Sequence, residues 1–278
     1  MEDKPSDREL VPVPELPIAI TAAAHEHVRR FCVSMVVVDE VEVQGSPCAG
    51  VLCTVKGVAG ILTAWHVWER LSRAKTLVLM LGPKDPYRID RTLLHAYAPG
   101  QAQAPELCDA MVPDIAFIPL PYRDKTSIEA KQKIFYSVDR RRNQQDFDLF
   151  GDAGFWVAVG TPVEMMRRES QAVGSLSYIT DVETTVERDG WDYLYVNLNL
   201  ESNVPIPANL EGMSGGGVWR VRFTVTGEPR TFALENPSRD IVLQGITFLQ
   251  TALGGRQLIA HGPKSIYRRL PEIIGHAP

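Results

Sequence analysis

Residues 211–225 read Glu211-Gly212-Met213-Ser214-Gly215-Gly216-Gly217-Val218-Trp219-Arg220-Val221-Arg222-Phe223-Thr224-Val225, and the residues after Ser214 decide the fold. The run from Val218 to Val225 is rich in β-branched and aromatic residues and is closed by Gly227-Glu228-Pro229. That texture predicts a strand after the serine, not a helix. The small residues around Ser214 let a substrate backbone approach, and a tight glycine turn can aim successive N–H groups at one point. Such N–H groups stabilise the charge that develops during acyl transfer. Alone, the pattern also suits a glycine-rich hairpin with a solvated serine.

Outward from this stretch the same texture recurs. Val33–Val43, Gly50–Val55, Ile61–Thr63, Thr76–Leu81, Ile115–Leu120, Phe155–Val159, Ser175–Ile179, Tyr193–Leu198 and Ile241–Phe248 are short apolar runs, most of them separated by Gly, Pro, Asp or Asn. About ten such strands with few helical periods between them predict a mostly β protein. Residues 1–30 read as an N-terminal extension, partly mobile, with a helix-permissive Ala-rich turn. Thr126–Gln145 is the largest polar interruption and reads as a connection between two β halves, in part helical. Pro263–Ile273 reads as a short terminal helix, with Pro263 suited to its first turn.

The chain has 278 residues, 45% hydrophobic and 23% charged, enough for a large buried core. Its 29 Lys and Arg against 34 Asp and Glu leave a net charge of −5, which provides no basic field for nucleic acid. The longest apolar stretches fall far short of a bilayer span, and the acidic amino terminus lacks the n- and h-regions of a secretory signal. The expectation is a cytoplasmic protein without a membrane partner. Cysteines 32, 48, 53 and 108 form no CxxC pair and no zinc spacing with histidine, so neither a metal nor another cofactor is expected.

A serine nucleophile needs a base, and His66 stands in Gly60-Ile61-Leu62-Thr63-Ala64-Trp65-His66-Val67, where an apolar strand ends and a short helical segment begins. A strand end is a rigid mount for a catalytic group. A third member would be a carboxylate that fixes the imidazole tautomer. Asp114 begins Pro113-Asp114-Ile115-Ala116-Phe117-Ile118-Pro119-Leu120, a polar head on an apolar strand. Taken singly, His66 reads equally as a structural histidine and Asp114 as a strand-capping turn residue.

Together the three fragments resemble a known family. TAWH is similar to the TAAH motif of chymotrypsin-like serine proteases, DIAFIPL to their DIALL segment and GMSGG to their GDSGG. The order His, Asp, Ser is also theirs, and the resemblance spans about residues 31–270. It implies two six-stranded antiparallel β-barrels with a C-terminal helix, the first over 31–122 and the second over 146–262, joined by a linker at 123–145. It implies a serine endopeptidase acting on protein or peptide substrates, with His66 as general base, Asp114 as its orienter and Ser214 as nucleophile. The backbone N–H groups of Gly212 and Ser214 would make the oxyanion hole. Ala208 would lie at the base of the specificity pocket, with Glu211 at its rim. Gly245-Ile246-Thr247-Phe248 looks like the strand that pairs with substrate backbone, which makes Thr247 and Phe248 substrate-binding residues.

Two departures qualify the resemblance. Met213 replaces the Asp that in secreted members receives a freed N-terminal ammonium group, so activation by N-terminal clipping is not expected. Ala208 offers no carboxylate to pair Arg or Lys, which points to small or medium apolar residues before the scissile bond. Free-standing proteases of this type resemble bacterial proteins often encoded with controlling partners, including defence systems, which leaves room for a regulatory protein partner. Two rivals remain: a catalytically silent peptide-binding module, and an α/β-hydrolase esterase, because Gly212-Met213-Ser214-Gly215-Gly216 satisfies GxSxG.

Overall fold

Short apolar runs punctuated by turn residues bury one or both faces by pairing edge to edge, and here they pair into two antiparallel sheets. The computed structural model describes residues 17–39, 42–73, 75–82, 84–99, 113–142, 154–165, 175–198, 209–227, 231–251 and 256–275. Helix α1 (Ile18–Arg29) leads, burying Ile20, Ala24 and Val28 along one face at four-residue spacing. The Lys133 ammonium donates to Arg29 O and Cys32 O at 2.9 and 2.6 Å, which places a cation at the helix C-terminus.

The first sheet takes β1 (Cys32–Asp39), β2 (Glu42–Val55) and β3 (Val58–Thr63). Helix α2 (Trp65–Leu71) follows, then β4 (Thr76–Gly82), β5 (Asp85–Asp90) and β6 (Ala116–Pro119). Its order is β5-β4-β1-β2-β3-β6. After it come α3 (Tyr122–Ala130), β7 (Tyr136–Ser137), which pairs parallel with β2, and α4 (Val138–Arg141). The second sheet takes β8 (Gly154–Gly160), β9 (Leu176–Arg188), β10 (Trp191–Leu198) and β11 (Gly217–Arg222). A small hairpin of β12 (Thr224–Thr226) and β13 (Thr231–Ala233) and helix α5 (Pro237–Asp240) precede β14 (Ile241–Gln250) and β15 (Gln257–His261). These strands close as β10-β15-β14-β11-β8-β9. A π-helical turn over Ser265–Arg269 runs into α6 (Leu270–Gly275).

The fold is mostly β, as the sequence predicts, but the two halves are not equal. Among the described residues only the second sheet closes into a six-stranded barrel; the first is a curled, open one. The reason lies in β5, whose Asp-Pro-Tyr-Arg-Ile-Asp sequence carries charge and a proline and whose Pro86, Arg88 and Asp90 are exposed. Such a strand suits an edge. The chain beyond it returns to make a single bridge, with Tyr97 and Phe117 exchanging both backbone hydrogen bonds at 2.9 Å. Helix α1 packs Ile20, Ala24 and Val28 into the main core.

That core is continuous across both sheets: Val51, Ile61 and Phe117 of the first share one cluster with Val157, Trp219 and Ile246 of the second. Phe31 stacks on Trp219 at 5.2 Å, and Tyr136 meets both rings edge-on at 5.6 and 5.4 Å. Three aromatics from three distant segments therefore lock the sheets together and fix the groove between them. No described helix is long and apolar enough to cross a membrane.

Candidate active site

Strand β3 is buried from Ala59 to Thr63, and the Thr63 hydroxyl donates to Ala49 O at 2.9 Å. Ala64 is still extended, and α2 starts at Trp65, so His66 stands in a first helical turn. Backbone N–H groups there have no partner inside the helix. The Asp114 carboxylate supplies one: Oδ1 accepts the His66 N–H at 2.9 Å, and Oδ2 pairs with His66 Nδ1 at 2.5 Å. One side chain thus caps the helix and orients the ring. With the ring proton on Nδ1, the Nε2 lone pair is left to accept another. Burial pushes the Asp114 carboxyl up, but the hydrogen bonds and charge of His66 outweigh it and hold the group below the ordinary carboxylate range.

The Ser214 loop is ordered by its backbone. Asn209 Oδ1 accepts the Glu211 N–H and Leu210 O accepts the Met213 N–H. The carbonyls of Glu211 and Gly212 take N–H groups from Val163 and Thr161, at 2.9 and 3.0 Å. Gly215 N–H donates to Thr247 O, Gly216 N–H to Met213 O, and Ala49 N–H to Ser214 O. Among the described residues, the N–H groups of Gly212 and Ser214 alone in this turn, from Glu211 to Gly216, donate to nothing. These are the two groups the sequence assigned to an oxyanion hole. The glycines are required by fit: Gly212 and Gly215 have φ of +92° and +83°, and a Cβ would collide with Thr161 O or Ala49 O.

Met213 is fully buried with Trp156, Ala158, Tyr178 and Leu210. The position that would carry an Asp in secreted proteases is here an apolar anchor, and packing holds the loop. Ser214 Oγ donates to Phe248 O at 3.3 Å, and no hydrogen bond joins it to His66 among the described residues. The Phe248 ring stacks on His261 at 4.6 Å, and His261 Nε2 accepts the Asp114 N–H at 2.9 Å. Contacts therefore run from Ser214 through Phe248, His261 and Asp114 to His66.

The expected specificity residues fare unevenly. Ala208 lies outside the described residues. A pocket of about 100 Å³ opens beside Ser214, lined by the apolar Leu210, Met213, Leu249 and Leu258 and by the polar Asn209, Glu211 and Gln250. Thr247 lines the same pocket, but its N–H and C=O are taken by Gly216 O and Gly215 N–H and its hydroxyl donates to Met213 O at 2.5 Å. Phe248 sits at the bulge where β14 slips against β15, and its carbonyl faces Ser214. Leu249 and Leu258 carried no local signal, since an apolar strand residue reads only as core.

Other chemistry finds little footing. Burial pushes the thiols of Cys32 and Cys48 up to about 12 and about 11, and that of Cys53 higher still. None is a thiolate near neutral pH. No cluster of three metal-ligating side chains occurs among the described residues. The element after Ser214 is a strand in an antiparallel barrel, which removes the α/β-hydrolase reading.

No family model matches the chain, and no curated protein matches it in sequence. Solved structures do. An inactive form of Rv3671c from M. tuberculosis H37Rv aligns over 98% of both chains with a TM-score of 0.50 at 10% identity. The active form of that protease aligns over 98% of this chain and 94% of its own, with a TM-score of 0.48 and 10% identity. Protease Anisep from Arthrobacter nicotinovorans aligns over 89% of this chain and 98% of its own, with a TM-score of 0.45 and 13% identity. The structural neighbours are chymotrypsin-like serine proteases, and this chain has their fold.

Proposed function

We propose that the chain is a serine endopeptidase working through His66, Asp114 and Ser214. The observation that carries the reading is the pair of N–H groups on Gly212 and Ser214 that have no acceptor among the described residues, in a loop whose neighbouring N–H groups all have one. In the proposed reaction Ser214 Oγ turns from Phe248 O, attacks the scissile carbonyl carbon and passes its proton to His66 Nε2. The carbonyl oxygen becomes an oxyanion held by the two N–H groups, while Asp114 steadies the imidazolium. Collapse breaks the C–N bond, and the leaving amine takes the proton from His66. Water then repeats the sequence on the acyl-enzyme and frees Ser214.

The substrate is a protein or peptide with a small or medium apolar residue before the cut, matched to the leucine- and methionine-walled pocket. Catalysis needs no N-terminal clip, because Met213 holds the loop by packing. A fluorophosphonate probe tests the reading. Labelling of the parent at Ser214, lost in Ser214→Ala together with about 10⁴–10⁶ in kcat, supports it. A parent that takes no label would instead be the silent peptide-binding module.

A further inference from the structure

We infer that His261 is a positioning residue, whose Nε2 holds the Asp114 backbone and so aims the carboxylate at His66. The inference rests on the proposed function. Asp114 lies two residues before β6, so no strand ladder fixes its N–H. The acceptor comes instead from 147 residues away, on the other sheet, at 2.9 Å.

Nothing about His261 is free to adjust. It ends β15, pairs in register with Tyr193 of β10 and Ile246 of β14, and is fully buried. Its ring stacks on Phe248 at 4.6 Å, lies against Tyr193 at 5.1 Å and meets Trp191 edge-on at 5.9 Å. Burial pushes the imidazole down to about 4 although Asp114 pulls it upward, so near neutral pH it is uncharged. Because Nε2 accepts, the proton is on Nδ1, and Nδ1 is buried with no hydrogen-bond partner. An orphaned buried donor is a cost that an apolar residue in this aromatic nest would avoid. What an apolar residue would lose is the Nε2 lone pair, whose partner is Asp114. The same ring also supports Phe248, whose carbonyl takes the Ser214 hydroxyl. His261 therefore ties the carboxylate of the first sheet to the serine side of the groove.

The test is steady-state hydrolysis of one peptide substrate by the full chain and by Ser214→Ala, His261→Leu, His261→Gln, Asp114→Ala and the Asp114→Ala/His261→Leu double variant. Parent turnover that vanishes in Ser214→Ala establishes the enzyme first, and its absence would overturn the proposed function, an outcome seen before any His261 variant is read. With the enzyme established, His261→Leu is expected to lower kcat by about 10²-fold, the effect of misplacing a catalytic group by about an ångström, with KM little changed. His261→Gln, whose Oε1 can accept the same N–H, recovers most of the loss. In the Asp114→Ala background His261→Leu costs little further, because the carboxylate it acts through is gone and only its support of Phe248 remains. His261→Phe, which keeps the stack and removes the acceptor, gives the same comparison if the leucine variant does not fold. Equal activity of the leucine and glutamine variants, or a loss that multiplies in full onto Asp114→Ala, overturns the inference.

Discussion

Acid should loosen this protein mainly through one fully buried ring. The imidazole of His261 is pushed from 6.5 down to about 4 by full burial, so in the unfolded chain it takes a proton that the native chain refuses. The native state binds fewer protons between those values, and stability therefore rises with pH. It is complete above about pH 6.5 and drains away as the pH falls toward 4. The full depression is worth about 3 kcal/mol, most of which is gone by pH 4.5. His25 and His27 are also lowered by burial, with Arg29 acting on the first and Arg30 and Arg141 on the second, and they slope the same way. Asp114 is held below the ordinary carboxylate range, so its stabilising contribution is lost only in stronger acid. Comparison with His261→Gln isolates the one ring. Urea unfolding of both proteins at pH 7.5 and 4.5 should show the gap between parent and variant shifting by about 2–3 kcal/mol against the parent. Parallel pH profiles would refute a neutral, desolvated His261, and with it the assignment of Nε2 as an acceptor.

The same geometry sets four other outcomes. Asp114→Asn should keep the fold and lose ~10⁴ in kcat, because the amide favours the wrong tautomer of His66; peptide hydrolysis within tenfold of the parent would contradict the orienting role. Gly212→Ala places a side chain on a φ of +92° and against Thr161 O, turning an N–H out of place. A drop of about 10² or more in kcat is expected, with acylation kinetics as the measurement. Met213→Asp buries a carboxylate among Trp156, Tyr178 and Leu210 and should cost about 3 kcal/mol or more in denaturant unfolding. Cleavage of a peptide library should favour small or medium apolar residues before the cut; a profile dominated by Arg or Lys would contradict the proposed specificity, and Glu211→Gln would then show whether Glu211 was the cause.

The order of events at the groove depends on two different kinds of restraint. The Ser214 loop is clamped by main-chain bonds to Thr161, Val163, Ala49 and Thr247, groups contributed by both sheets. His66 and Asp114 both sit in the first sheet's half, yet the Asp114 backbone is anchored to the second. Sliding one sheet on the other would therefore disturb the oxyanion N–H pair and the carboxylate together. The Phe31, Tyr136 and Trp219 contact resists that slide.

Local pattern alone carried the mostly β class, the strand after Ser214, the mount of His66 at the end of β3 and the need for glycine beside the serine. Each of these is set within a few residues, by propensity, by apolar alternation or by the backbone angle a turn requires. Resemblance across three separated fragments then brought His66, Asp114 and Ser214 together. Tertiary structure decided the rest. It left the first sheet open because β5 is a charged edge strand, used up the backbone of Thr247 inside the serine loop, and made the stretch before β14 a hairpin and a helix rather than a plain turn. It also drew His261 to Asp114. A histidine closing an apolar strand reads only as a buried ring, since the sequence records its burial and not the distant N–H that its nitrogen will meet. Partners separated by 48 or 147 residues are chosen by how the sheets pack, and no local window of residue types contains that choice.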